Sequence, residues 1–154
     1  MPTTTERLRS ATPTHRPRNP VATLAEEAVV AALDKKALDL TVLDMRAISG
    51  VADCFVVCTG ETDRQVKAIT EAIRAQIRET CSEKPWHTEG LEHLQWVLAD
   101  YVDLVVHVFM PEKRAFYDLE RLWGDAPRLS IEQALTEEEA RQAVQAFLAE
   151  TPAS

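Results

Sequence analysis

The chain is short of most of what catalysis and membrane insertion require. Glycine is scarce, four in 154 residues. No G-x-x-x-x-G-K-[ST] or G-x-G-x-x-G stretch occurs, so the common phosphate-cradling loops are missing. No run approaches the roughly 18 consecutive apolar residues of a spanning helix. The most apolar segment, residues 104–110, has the length of a buried strand. Cysteine is limited to Cys54, Cys58 and Cys81. With that odd count and no secretory pattern at the start, free thiols in a reducing compartment are expected. Four ligands at zinc-finger spacing are absent. Cys54 and Cys58 fall on one face of an apolar strand-like run, where thiols act as small hydrophobes. His87 and His93 fit no metal motif, and His107 has no nucleophile motif to serve. Internal repeats are missing too.

Positive charge is the other shortage: 17 Lys and Arg face 25 Asp and Glu, for a net charge of -8. Four arginines (Arg7, Arg9, Arg16 and Arg18) against Glu6 make residues 1–20 positive by three, which leaves -11 on the remainder. Such a body repels phosphate backbones, so little direct nucleic-acid contact is expected. It attracts basic protein surfaces instead, although solubility alone also accounts for the charge.

What is present is an apolar fraction of 45%, ordinary for a globular protein. Residues 1–20 hold Pro2, Pro13, Pro17 and Pro20 and read as a disordered basic tail; an organellar transit segment is the second reading. A helix is expected from Thr23, which forms a T-x-x-E capping box with Glu26. Residues 40–45 and 53–59 read as strands. Thr62 or Asp63 caps a long helix to about Cys81, with Val66, Ile69, Ile73 and Ile77 as its apolar stripe. Arg64, Lys67, Glu71, Arg74 and Arg78 fall off that stripe. After a linker around Pro85 with a short edge strand, residues 94–101 and 103–110 form a hairpin. Val102 resists the positive φ that a tight hairpin turn requires, so a wider or bulged turn is expected. Pro111 opens one helix that runs to Trp123, with Phe116, Leu119, Leu122 and Trp123 buried against the sheet and Gly124 after its end. The sum is an α/β fold with a mixed sheet of about five strands flanked by helices. The chain divides into the tail (1–20), a domain (21–125) and an acidic helical extension (126–154), where Thr136 and Glu139 make a second capping box.

Two readings compete for the polar residues near the hairpin. Asp100 and Asp103 suggest metal or acid/base chemistry, but their D-x-x-D spacing across a turn does not bring the side chains together. Alternatively Trp96 and Asp100, which share a strand face, join Tyr101 and Asp103 in an aromatic anchor ringed by carboxylates that faces Arg or Lys. A third option leaves Trp96 in the core and both Asp residues as turn caps. The residues alone do not decide among these. Gly60-Glu-Thr-Asp-Arg64 is explained by a helix cap rather than an anion loop.

Residues 96–123 closely resemble the ribosomal silencing factor family, called RsfS or Iojap, whose members carry W-[IV]-[VL]-x-D-[YL]-G-D-[VI]-[VI]-V-H-[VI]-[FM] and a helix ending L-E-x-L-W. Trp96, Asp100, Tyr101, Asp103, His107, Phe109, Phe116, Tyr117, Leu119, Glu120, Leu122 and Trp123 fit that pattern. The segments D-K-K-A-x-D, V-A-D-x-F-V-V-C-T-G and R-Q-V-K-A-I agree in order. Gly50, Cys54 and Val102 depart from it, the last standing where members have glycine. The resemblance covers about residues 24–123. It implies a nucleotidyltransferase-like topology without the Gly-Ser and D-x-D catalytic motif, hence no enzyme activity, no cofactor and no metal. It also implies a bacterial cytoplasmic factor that binds ribosomal protein L-fourteen of the large subunit, blocks joining of the small subunit and lowers translation when nutrients are short. Trp96, Asp100, Tyr101 and Asp103 are then the expected contact set, with Glu89, Leu91 and Glu92 at its rim. A degenerate nucleotidyltransferase using Asp100 and Asp103, or an adaptor that pairs with itself through a sheet edge or the last helix, are the competing classes.

Overall fold

The computed structural model describes residues 20–48 and 50–149. The tail expected at 1–20 lies almost wholly outside them. Eleven elements follow in order: α1 (Pro20–Asp34), β1 (Leu38–Asp44), β2 (Cys54–Thr59), α2 (Asp63–Cys81), β3 (His87–Glu89), β4 (Trp96–Asp100), β5 (Leu104–Phe109), α3 (Pro111–Tyr117), α4 (Leu119–Leu122), β6 (Arg128–Ile131) and α5 (Glu137–Ala149). The strands form one mixed sheet of six, ordered β3-β4-β5-β2-β1-β6, so the expected count of about five is low by the unforeseen β6. β2 and β5 are parallel and every other pair is antiparallel.

The two central strands read C-F-V-V-C-T and L-V-V-H-V-F and are buried at every position. That is what a strand covered on both faces requires. Alternation sorts the side chains. Val56, Cys58, Val97, Ala99, Val106 and Val108 join a large cluster with α1, α2 and α5. Leu43, Phe55, Val57, Val105 and Phe109 join a smaller one with Leu119, Trp96, Leu98 and Trp123. One face therefore lies under three long helices, and the other is covered only by short pieces.

The long helix behaves as its sequence predicts. The Thr62 hydroxyl accepts from the Gln65 N–H at 3.1 Å, and Ser82 closes α2 in the left-handed region, its N–H donating to the Arg78 carbonyl. Val66, Ile69, Ile73 and Ile77 are buried.

The first helix corrects the expectation. It begins at Pro20, where a missing N–H costs nothing, and Thr23 lies within it. The Glu26 carboxylate is not part of a cap. It is buried and takes hydrogen bonds from Arg141 and Gln145 of α5.

The single helix expected over 111–123 is broken. Asp118 adopts φ 46°, which ends α3 and starts α4. The break turns the side chains out of their expected stripe. Leu119 is buried, but Phe116 is 77% and Leu122 67% exposed.

Residues 126–149 are not packed apart from the rest. β6 pairs with β1, and α5 sinks Ala140, Val144 and Leu148 into the α1 side of the core. The Thr136–Glu139 capping box forms with both bonds, 2.9 and 3.1 Å.

Candidate partner-binding surface

β4 shows the alternation that half-covered strands follow: Val97 and Ala99 are buried, while Trp96, Leu98 and Asp100 are half-buried on the thinly covered face. Antiparallel pairing sets His87 opposite Asp100 and Glu89 opposite Leu98, and directly opposed residues share a face. Across β5 the same face presents Val105, His107 and Phe109. Trp96, Leu98, Asp100, His87 and Glu89 thus make one continuous strip along the β3–β4 edge. The His87 Nε2 and a Glu89 carboxylate oxygen meet at 2.7 Å on its exposed side.

Trp96 is held in place from three directions. Its Nε1–H donates to His107 Nδ1 at 3.1 Å. Its ring stacks on Phe109 at 4.9 Å and lies 4.6 Å from that of Tyr117. His107 is buried among Phe55, Phe109 and Trp96, and this apolar setting pushes its pKa down to about 3. The imidazole is therefore neutral. Since Nδ1 accepts, Nε2 carries the proton, buried and, among the described residues, without a partner. Sequence reasoning placed His107 correctly in the core but missed that it anchors the indole. That contact is visible only when the hairpin register sets Trp96 and His107 on one face.

The turn differs from its expected form. It stays tight: the Tyr101 N–H donates to the Leu104 carbonyl at 2.7 Å, and the Asp103 N–H to the Tyr101 carbonyl at 3.0 Å. Val102 accepts φ 75° instead of widening the loop. The Asp100 carboxylate supports this by accepting the Val102 N–H at 2.7 Å, an Asx-type turn. Asp103 fixes the same end of the sheet, its carbonyl receiving the N–H groups of Asp53 and Cys54. Asp100 therefore has a structural duty and is half-buried, while the Asp103 side chain is exposed.

Tyr101 must be taken out of the contact strip. One residue after Asp100, it points to the opposite face, is 4% exposed and packs in the cluster under α1 and α2. Glu89, Leu91 and Glu92 are exposed beside β4. Gly90 lets that rim approach closely: its φ is 89°, and a Cβ there would lie 1.9 Å from the Trp96 carbonyl oxygen. Among the described residues, no three His, Cys, Asp or Glu side chains gather in a way that could hold a metal ion, and no helix is long and apolar enough to cross a membrane.

A family model described as "Ribosomal silencing factor during starvation" matches residues 18–153. The chain belongs to the ribosomal silencing factor family. Its match extends beyond Trp123 to include β6 and α5, in keeping with their place in the core. Among curated relatives, the ribosomal silencing factor of Halalkalibacterium halodurans is 42% identical over 73% of this chain and 96% of its own length. That of Bacillus subtilis is 45% identical over 68% of this chain and 88% of its own. A crystal structure of a Chromobacterium violaceum protein superposes with a TM-score of 0.64 and 34% identity, over 73% of this chain and 93% of that one. The relatives are named for silencing ribosomes, not for a reaction.

Proposed function

We propose that this silencing factor docks on ribosomal protein L-fourteen of the large subunit through the β3–β4 strip and thereby blocks joining of the small subunit. Translation falls as a result when nutrients are short, and the site of action is the bacterial cytoplasm. The observation that carries the reading is the half-covered Trp96, locked by His107, on a strip that also carries Glu89 and Asp100, with the exposed Glu92 and Asp103 in the adjoining turns. A preorganised aromatic with a carboxylate border is what a basic protein partner finds complementary. Leu91 and Leu98 add apolar area next to it. Tyr101 contributes only as a prop beneath the turn. Steric exclusion needs no chemistry from the protein, only a dock on the subunit-joining face.

The test is co-sedimentation with isolated large subunits, with small subunits present or withheld. The chain is expected to pellet with large subunits and to reduce the joined fraction. A Glu89→Lys/Glu92→Lys double variant alters only exposed side chains and is expected to weaken binding at least tenfold at moderate salt. Unchanged binding by that variant together with an Asp103→Lys variant would remove the strip from consideration.

A further inference from the structure

On the helix-covered side, away from the strip, α2 and the linker to β3 enclose a concavity of about 470 Å³. Arg74 and Arg78, one turn apart on α2, line it together with Lys84, Glu83, Pro85 and Thr88. Among the described residues, none of these three cations has an ion pair or a side-chain hydrogen bond. That contrasts with Arg46, Arg114 and Arg141, each of which is tied to a carboxylate. Glu83 offsets one charge, so the lining keeps an excess of two positive charges in a chain whose net charge is -8.

The charges of the concavity reach Tyr101. Among the described residues, its buried hydroxyl has no hydrogen-bond partner. Burial pushes its pKa up to about 12, and among the charges that act on it are Arg74 and Glu83, both lining the concavity. Tyr101 is not part of the lining, so it reports the charge of the concavity rather than contacting what the concavity holds.

We infer that Arg74, Arg78 and Lys84 form a binding site for a compact phosphate-bearing anion, with Thr88 as a neighbouring hydroxyl and Pro85 as an apolar wall. Two guanidinium forks one helical turn apart suit the paired oxygens of a phosphate or pyrophosphate group, and the lysine adds a point charge. The local excess of two charges matches a dianion. An extended nucleic-acid backbone is disfavoured, because it would meet the acidic remainder of the surface. The site is separate from the ribosome-docking strip, so the two proposals stand or fall independently.

The test is isothermal titration of the full chain with inorganic phosphate and with pyrophosphate, at ionic strength matched by chloride. Saturable binding of one equivalent is expected. An Arg74→Gln/Arg78→Gln variant should lose at least tenfold in affinity, whereas Arg64→Gln/Lys67→Gln, on the same helix but outside the concavity, should bind as the parent does. Co-sedimentation of the Arg74→Gln/Arg78→Gln variant with large subunits should be unchanged. No saturable heat above chloride would overturn the proposal, as would equal losses in both double variants. A single-stranded RNA oligonucleotide provides the remaining arm: tighter binding than pyrophosphate, weakened equally by the two variants, would mean a diffuse charged helix rather than a site.

Discussion

Val102 takes a backbone shape that β-branched residues resist, and the turn holds because Asp100 accepts its N–H and Tyr101 closes the hairpin. Left-handed φ costs a residue with a Cβ about 1–2 kcal/mol, partly offset by the greater freedom that glycine has when unfolded. Val102→Gly should therefore stabilise the fold by about 0.5–1 kcal/mol, a rise in Tm of roughly 1–4 °C in a chain of this size. Thermal melts followed by circular dichroism will show it. His107 gives a second prediction with a definite sign. Its folded pKa lies near 3 against an ordinary 6.5, so between those values the unfolded chain binds the extra proton. Stability is therefore complete above about pH 6.5 and falls as pH drops toward 3. The slope approaches about 1.4 kcal/mol per pH unit. His107→Phe should flatten that part of the urea-midpoint profile between pH 4 and 6, at the expense of freeing the Trp96 indole N–H. An unchanged profile would show that other groups govern the acid limb.

At the scale of elements, the bond between first and last helices is ionic as well as apolar. Arg141 reaches Glu26 at 2.8 Å, Glu27 at 2.7 Å and Glu137 at 2.9 Å. Hydrogen bonds to Glu27, then Glu26, hold its guanidinium well above the usual arginine pKa. Arg141→Met would remove the cation that buried Glu26 and Glu27 share. Breaking such a pair costs about 3–5 kcal/mol when fully buried; Arg141 is partly solvated, so a loss of roughly 2–4 kcal/mol is expected in urea titrations. This pairing also explains what sequence reading missed. Glu26 looks like half of a capping box with Thr23 because the box is a local pattern, while its true partner lies 115 residues away. β6 escaped notice for a similar reason: Arg128–Ile131 is four residues long, and only the open edge of β1 makes it a strand. Periodic features were legible, among them the α2 stripe, the Thr62 and Thr136 caps and the fully buried β5. The break at Asp118 was not, since nothing local distinguishes it from a helical aspartate; its effect is to leave Phe116 and Leu122 outside the core.

For the whole molecule, the sheet separates two kinds of surface. Three helices seal one face, and the other keeps a half-open edge bordered by acids. The candidate contact strip was legible as alternation along β4, except for Tyr101. Its neighbour on the strip across β3, His87, became visible only through strand pairing. A docking surface of this charge should respond to salt mainly through association. Raising ionic strength from about 0.05 to 0.5 M should slow binding to large subunits by roughly tenfold or more, with a smaller change in dissociation. Stopped-flow measurements can separate the two rates.

The joining of α1 to α5 and of β1 to β6 has a consequence for synthesis. Helix α1 finds its partner only in α5, and one edge of the sheet waits for a strand from residues 128–131. Domains fold as units once their parts are present. A ribosome translating this chain therefore carries the domain unfinished until residues 128–149 have been added, and the silencer gains its folded form only then.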